Sequence, residues 1–156
     1  MSMVLFMTRD ANLGDLDFIQ TLSGNAFADR GAYGPIIRDI VQCGLNDTTT
    51  YKTVVEAVID DSWQLGFGII QFPGNGESYI PAIAVIPDCY RSGIGRRLLK
   101  HLVELSREHG DKKVTLHVAP DSPAHGMFTQ FGFTQVPGGG FTYPTGVTAI
   151  KMSFAL

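Results

Sequence analysis

The chain has 156 residues, of which 44% are hydrophobic and 17% are charged, and its formal net charge at pH 7 is −3. This length and composition are typical of one globular domain with a sizeable core, which we expect to span residues 1–156. An acidic chain without a basic stripe argues against binding to nucleic acid. No apolar run reaches the ~18 residues of a membrane-spanning helix, and Cys43 and Cys89 provide neither a disulfide framework nor metal-site spacing. We therefore expect a cytoplasmic protein with no metal ion and no membrane contact.

Charge is distributed unevenly along the chain. Residues 1–88 hold eleven acidic and four basic side chains, whereas residues 89–156 hold four acidic and eight basic ones. This division suits an anionic cofactor held by the second half and a cationic substrate met by the first. An equally good explanation is that two solvent-exposed faces differ in charge.

The first half of the chain predicts strands and helices in alternating groups. Asp10 or Asn12 is expected to cap a first helix, which Ser23-Gly24-Asn25 would end. The predicted elements are a strand over 4–7, a helix to about residue 22, a helix from about 36 to 44, a hairpin of strands over 53–60 and 63–72, and a strand over 78–86. Pro81 has no N–H group to donate, so the last of these strands must be irregular or unpaired at that point.

A glycine-containing turn between a strand and a helix is the most informative local pattern. Gly93 and Gly95 lack a Cβ, so the backbone here can turn tightly and approach a ligand. The helix that follows begins with unpartnered N–H groups at the positive end of its dipole, which form an anion site. With Arg91, Arg96 and Arg97 nearby, the pattern indicates a phosphate or pyrophosphate site, although glycines that serve turn geometry alone are the alternative. The pattern matches neither a P-loop nor a complete dinucleotide fingerprint.

The second half continues with the clearest helix of the chain, which is predicted over Ile94–His109. Its apolar stripe runs from Ile94 through Leu98 and Leu102 to Leu105, and Gly110 is a good C-terminal cap. The later predicted elements are a strand over 113–118, a short helix that Asp121 or Ser122 opens and Gly132 ends, and strands over 133–136 and 147–154 around a Gly/Pro-rich loop over 137–146.

The order of these elements and two motifs resemble the GNAT acetyltransferase superfamily. The first motif runs from Ile83 to Asp88 and on through Gly93-Ile94-Gly95-Arg96, and it resembles the family's acyl-CoA signature. The second comprises Ala124, Phe131 and Gly132-Phe133 on the short helix downstream. The resemblance implies an α/β (α+β) GNAT fold, with a mixed, mostly antiparallel sheet of six to seven strands, splayed between strands 4 and 5 and flanked by about four helices.

The resemblance also implies acetyl-CoA (coenzyme A) as cosubstrate. Its pantetheine arm would lie between the splayed strands and its pyrophosphate on the glycine turn. The implied contact residues are Ile83, Ala84, Val85, Arg91, Ser92, Gly93, Ile94, Gly95, Arg96, Asp121 and Phe128. Two of them depart from the family pattern. Asp121 stands where an asparagine is frequent, and Phe128 stands where a tyrosine commonly protonates the departing thiolate.

Acetyl transfer to an amine at neutral pH requires a group that removes a proton from the amine. His117 is the preferred base because strand alternation points it away from Leu116 and Val118 and because imidazole titrates near neutral pH. A histidine that is merely exposed, or hydrogen-bonded in the core, is the alternative. Glu56, acting through water, is the second candidate, and a solvent-facing strand residue is its alternative. The hydroxyl groups available as replacement acids are those of Tyr79, Tyr90 and Tyr143.

The sequence therefore predicts an N-acetyltransferase that moves an acetyl group from acetyl-CoA to an amine of a small molecule or peptide by direct attack in a ternary complex. The resemblance implies an acceptor site at residues 28–34 and 137–146, which include Tyr33, Phe141 and Tyr143. A non-catalytic acyl-CoA-binding sensor or scaffold and transfer to an oxygen are the alternatives. Homodimers are frequent among such proteins, and a homodimer is a further expectation.

Overall fold

A computed structural model describes residues 5–31, 33–47 and 49–156. These residues form one mixed sheet with helices on both of its faces. Its strands are Phe6–Asp10 (β1), Tyr51–Val58 (β2), Gln64–Gln71 (β3), Glu77–Val85 (β4), Lys113–Val118 (β5), Thr134–Thr142 (β6) and Thr148–Ala155 (β7). Its helices are Leu16–Ala26 (α1), Tyr33–Asn46 (α2), Ile94–His109 (α3) and Pro123–Phe131 (α4). None of the helices in these residues has the length and hydropathy that a membrane-spanning segment requires.

The strand order is β1-β2-β3-β4-β5-β7-β6. Neighbouring strands are antiparallel except β4 and β5, which run parallel. A parallel pair needs a crossover connection, and α3 supplies it between these two strands. The mixed seven-stranded sheet with four helices confirms the predicted fold class.

Two apolar clusters hold the helices against the sheet. The first contains α3 residues such as Leu98 and Leu102, together with β5 and Phe128 of α4. The second contains Ile19 of α1, Ile37 of α2 and the residues of β2 and β3 that face them. Each helix buries one apolar stripe against the sheet, which is why the period of 3.6 residues predicted α3 with its bounds. The helices α3 and α4 therefore cover one face of the sheet, and α1 and α2 cover the other.

β4 and β5 are paired over only part of their length. The pairing ends at Ile80 and Leu116, although β4 continues to Val85 and β5 to Val118. Beyond that point the two strands part. Pro81 lies directly after the last pair, where the absence of its N–H group costs no hydrogen bond between these strands.

The same region of β4 carries a bulge against β3. Tyr79 pairs with Gln71 and Ala82 pairs with Ile69, so Ile80 and Pro81 both oppose one residue of β3. The extra residue reverses the alternation of side chains. Ile80 therefore packs in the cluster of α3, whereas Ala82 packs in the cluster of α1 and α2. The prediction that β4 is irregular at Pro81 is confirmed.

Several predicted boundaries are wrong. α2 begins at Tyr33 and not at about residue 36. α1 does not end at Ser23-Gly24-Asn25 but continues to Ala26, because Gly34 of α2 packs closely against its backbone at this point. The Gly/Pro-rich stretch 137–146 is not wholly a loop, because β6 continues through an irregular segment to Thr142. The predicted first strand begins at Val4, outside the described residues, and the observed β1 continues to Asp10.

Candidate active site

A cleft opens where β4 and β5 part. It has a volume of about 330 Å³ and lies between residues 80–83 of β4 and residues 116–119 at the end of β5. The start of α4 and residues of the segment 26–30 complete its walls. Four predicted site residues line it, namely Ile83, His117, Asp121 and Phe128. The cleft is therefore an open space of ligand size between the splayed strands.

The turn after β4 presents backbone N–H groups to solvent. It contains Arg91, with φ of 63°, and Gly93, with φ of 88°, and both residues are exposed. No side chain caps the start of α3. Among the described residues, none accepts a hydrogen bond from the backbone N–H groups of residues 93–96. Unpartnered N–H groups at the positive end of a helix dipole are an anion site. The structure thus forms the turn that the sequence predicted.

Other residues of the predicted cofactor motif shape this turn. Ser92 Oγ donates to the carbonyl of Cys89 and closes the turn. Ile94 is buried in the cluster of α3. A Cβ at Gly95 would lie 3.1 Å from Met127 Sδ, so glycine allows α4 to approach the start of α3. Ile94 and Gly95 therefore offer only their backbone to a ligand.

The two residues that follow Ile83 lie outside the walls of the cleft. Ala84 packs in the cluster of α1 and α2. Val85 packs against the cluster of α3, close to Gly95. Contacts with a ligand at these two positions would therefore come from the backbone, as the resemblance implies.

Three arginines follow the turn or lie within it, and they have different environments. Arg91 and Arg96 are exposed, and the guanidinium of Arg96 lies 5.6 Å from the centre of the Phe131 ring. Arg97 instead donates from Nε to Glu56 Oε1 at 2.7 Å. Arg91 and Arg96 are therefore available to an anion, whereas Arg97 is engaged with Glu56.

Glu56 is buried on the face of the sheet that α3 covers. Its side chain has no solvent exposure, and its second oxygen accepts a hydrogen bond from Thr8 Oγ1 at 2.5 Å. It does not line the cleft beside His117. The structure therefore does not bring the two predicted catalytic residues together, and Glu56 as a base stays a prediction.

His117 projects from β5 away from Leu116 and Val118 and lines the cleft. Its Nε2 lies 2.9 Å from the carbonyl oxygen of Gly139, and its Nδ1 lies 2.7 Å from Tyr79 Oη. A carbonyl only accepts, so the proton of a neutral His117 is on Nε2. Nδ1 is then the acceptor, and Tyr79 donates to it.

Burial of the Tyr79 hydroxyl raises its pKa above the ordinary value, and the nearby Tyr33 and Tyr143 add to this effect. Tyr79 therefore stays protonated at neutral pH and can donate to His117. A second, smaller cleft of about 240 Å³ is lined by Tyr79, His117 and Lys151. His117 therefore lines both clefts.

The segments implied as the acceptor site lie next to each other. The Arg30 guanidinium lies 4.5 Å from the centre of the Phe27 ring and 5.4 Å from that of Tyr143. Thr145 donates from Oγ1 to the carbonyl of Asp29 and joins the two segments. Burial raises the pKa of Tyr33, whose hydroxyl donates to the carbonyl of Pro81 at 3.1 Å.

The start of α4 forms the remaining wall. Ser122 caps the helix, with its Oγ accepting from the N–H of Ala124, so Asp121 is free of the capping role. Phe128 is buried and packs on Phe133 with ring centres 5.8 Å apart. No cluster of three or more His, Cys, Asp or Glu side chains suited to a metal ion occurs in the part of the chain that the structure describes.

Sequence reasoning did not foresee the roles of Arg30 and Gly139. Arg30 belongs to no sequence motif that indicates a function, and its aromatic neighbours come from separate parts of the chain. Gly139 belonged to a glycine run that predicted only a loop. The pairing of Tyr79 with His117 also has no sequence signal, since it depends on the register of two parallel strands.

The fold therefore has a parallel pair that splays around a cleft, with a glycine turn and an uncapped helix in the connection between its two strands. The family model described as the Acetyltransferase (GNAT) family matches residues 28–133. The chain belongs to this family. No curated protein sequence matches the chain significantly.

Solved structures agree on the fold. Ard1 from Thermoplasma volcanium is 19% identical, with a TM-score of 0.81 and 97% of each chain covered. The ribosomal-protein-S18-alanine N-acetyltransferase from Escherichia coli is 20% identical, with a TM-score of 0.71, and the match covers 97% of this chain and 94% of that chain. The spermidine/spermine N-acetyltransferase SpeG from Vibrio cholerae is 17% identical, with a TM-score of 0.72, and the match covers 96% and 92%. At these identities the likeness establishes the fold alone.

Proposed function

We propose that the protein transfers an acetyl group from acetyl-CoA to an amine of a small molecule or peptide, by direct attack in a ternary complex. The observation that carries the proposal is the cleft between β4 and β5, with His117 in its wall and the uncapped start of α3 after the end of β4. Membership of an acetyltransferase family supports the reaction class. The acceptors named for two of the neighbours are an alanine of ribosomal protein S18 and spermidine or spermine, which supports an amine as the acceptor class.

The residues present fit acetyl-CoA. The N–H groups of residues 93–96 and the exposed Arg91 and Arg96 would hold its pyrophosphate, because they combine unpartnered donors with positive charge. Ile83 and Phe128 would border its pantetheine arm in the cleft. Asp121 lines the same cleft next to the start of α4. When bound, acetyl-CoA supplies an acetyl group activated as a thioester.

The acceptor amine would lie near Arg30, Tyr33 and Tyr143. The aromatic rings and the guanidinium form a wall that can orient an organic amine, and His117 borders the same cleft. Orientation of the amine against the thioester is itself a large contribution, because placement can supply roughly 7–11 kcal/mol. In a site of this kind, the positioning of the amine contributes more to the rate than proton transfer does.

The reaction is tested by release of free thiol from acetyl-CoA across a panel of amines. The panel includes polyamines, amino acids and peptides with free N-termini, and each amine is also tested with heat-denatured protein. Thiol release that depends on the amine, with an acetylated product seen by mass spectrometry, is the expected result. Tight binding of acetyl-CoA in calorimetry without acetylation of any amine would instead favour a sensor or scaffold. Release with alcohols alone would favour transfer to oxygen.

Substitution of Gly93 by alanine tests the anion site. Gly93 has φ of 88° and open space where its Cβ would project. The added methyl group would occupy part of the open space at the turn, where the pyrophosphate would bind, so we expect the Kd of acetyl-CoA in calorimetry to rise about tenfold, which corresponds to ~1.4 kcal/mol.

The matched control is Gly110→Ala at the other end of the same helix. Gly110 has φ of 89° and the same open space, so both variants carry a similar conformational strain of about 1–2 kcal/mol. The control should bind acetyl-CoA as the unmodified protein does. An equal rise in Kd for both variants would show that the effect comes from helix stability and not from the anion site.

A further inference from the structure

We infer that Tyr79 is a catalytic proton carrier of this site, working as a relay with the imidazole of His117 and the carbonyl of Gly139. The inference rests on the proposed acetyl transfer and adds to it the group that replaces the hydroxyl missing at Phe128. Three separate strands supply the relay, namely β4, β5 and β6. Its geometry consists of two hydrogen bonds in series, at 2.7 Å and 2.9 Å.

The direction of both hydrogen bonds follows from chemistry. The Gly139 carbonyl can only accept, so His117 donates from Nε2, and Nδ1 is left to accept from Tyr79. Both ring nitrogens of His117 are therefore occupied. A proton can reach the imidazole only by exchange along one of these bonds, and the Gly139 carbonyl has no proton to exchange. Tyr79 Oη is therefore the entry point.

The glycine run in β6 is what brings the carbonyl to His117. A Cβ at Gly139 would lie 2.7 Å from Lys151 Cδ, and one at Gly140 would lie 2.5 Å from the carbonyl oxygen of Ala149. Both distances are far below ordinary contact, so only glycine allows β6 to lie this close to β7. The irregular pairing between Val136 and Phe141 has the same location. The ring of Phe141 then packs on His117 edge to face, with centres 4.9 Å apart.

The relay returns every proton that it takes. Tyr79 Oη accepts a proton from the amine while it passes its own proton to His117 Nδ1. The amine nitrogen forms its bond to the acetyl carbon, and the bond from that carbon to sulfur breaks. His117 Nδ1 then returns its proton to Tyr79, which donates to the departing sulfur. His117 is positively charged only between these two transfers, and the Gly139 carbonyl stabilises this charge by accepting from Nε2.

The surroundings favour an uncharged hydroxyl on Tyr79, which lines the smaller cleft together with His117. Tyr33, Tyr143 and Arg30 lie close enough to influence the pKa of Tyr79, and burial raises that pKa. The group therefore exchanges protons without remaining ionised. The charged and titratable groups around the pair are those that line the two clefts or lie near Tyr79, namely Asp29, Arg30, Tyr33, Glu77, Asp121, Tyr143 and Lys151.

The test is Tyr79→Phe, with Tyr51→Phe as matched control. Tyr51 is a half-buried tyrosine at the start of β2 and does not line either cleft. We expect Tyr79→Phe to lower kcat by about 10²-fold and to leave the Kd of acetyl-CoA unchanged, since it removes one proton-transfer group. The rise of kcat with pH near neutrality should also change, whereas Tyr51→Phe should keep both the rate and the pH profile.

A second measurement reads the hydrogen bonds in the protein without substrates. Long-range proton–nitrogen NMR spectra of protein with 15N-labelled histidine should show His117 with its proton on Nε2. Tyr79→Phe should shift the Nδ1 resonance of His117, which is assigned by its loss in His117→Ala. A proton on Nδ1, or no shift in Tyr79→Phe, would overturn the relay.

The two measurements separate this inference from the proposed function. Unchanged kcat and pH profile in Tyr79→Phe, with the unmodified protein active, would overturn the relay and leave acetyl transfer standing. An unmodified protein that acetylates no amine would contradict the proposed function, and with it the catalytic role of Tyr79, whatever the NMR spectra show.

Discussion

Substitution of His117 by alanine is expected to lower kcat by about 10²–10⁴-fold and to flatten the rise of the rate with pH near neutrality. The imidazole is the proton acceptor of the relay, and its removal also leaves Tyr79 Oη without the partner that orients it. A general base typically contributes a factor of this size. Steady-state kinetics between pH 6 and about pH 9 with one good amine acceptor measure both effects.

His101→Ala is the matched control, since His101 is a half-buried histidine on α3 and lines neither cleft. It should leave kcat unchanged. If Tyr79 and His117 act as one unit, the double variant should be no slower than His117→Ala alone, because groups that act together have strongly non-additive effects. Full additivity of the two losses, or an unchanged pH profile in His117→Ala, would contradict the assignment.

Substitution of Arg97 by alanine is expected to lower the free energy of unfolding by about 3 kcal/mol. Arg97 pairs with Glu56, whose carboxylate has no solvent exposure, so removal of the arginine leaves a buried charge with only the hydroxyl of Thr8 as partner. The side chain of Arg97 is 52% exposed, which is why we place the effect at the lower end for a buried pair. Urea denaturation followed by circular dichroism measures the change.

Arg107→Ala is the control for this prediction. Arg107 lies on the same helix and pairs with Glu104 on the surface, where an ion pair contributes about 0–1 kcal/mol. In the Arg97→Ala background, Glu56→Gln should restore part of the stability because it removes the uncompensated charge. Equal losses for the two arginine variants would contradict a buried ion pair.

The Glu56→Gln variant also decides between two roles for this residue. A variant that folds and keeps its kcat would make the carboxylate a structural group. A large loss of kcat with stability retained would support the prediction that Glu56 is a base acting through water.

Local signals predicted the elements that surround the cofactor motif. The bounds of α3 were correct because the apolar stripe begins at Ile94 and Gly110 adopts the left-handed conformation that ends a helix. The positions of β5 and α4 followed from alternation and from the Ser122 cap in the same way. The irregularity at Pro81 was predictable because a proline can never donate to a sheet.

The wrong predictions concern segments whose conformation depends on contacts with residues that are distant in the sequence. Ser23-Gly24-Asn25 is a poor helical sequence, yet α1 continues through it because the close packing with Gly34 outweighs local propensity. The glycine run in β6 suggests a loop by composition. Its close approach to β7 makes it a bulged strand, and no local rule contains that contact.

By itself, the sequence determined that a turn with unpartnered N–H groups follows a strand that is irregular at its proline, because glycine, proline and helical periodicity act through neighbours along the chain. The splaying of this strand from β5 was implied only by the family resemblance. Only the tertiary structure decided what His117 does. Its two hydrogen-bond partners lie 38 and 22 residues away and are brought to it by a parallel register and a glycine bulge. The tertiary structure also decided that Arg97, which the sequence placed near the anion site, pairs with Glu56 instead. Hydrogen bonds between distant strands depend on register, and register is set by the packing of the whole sheet.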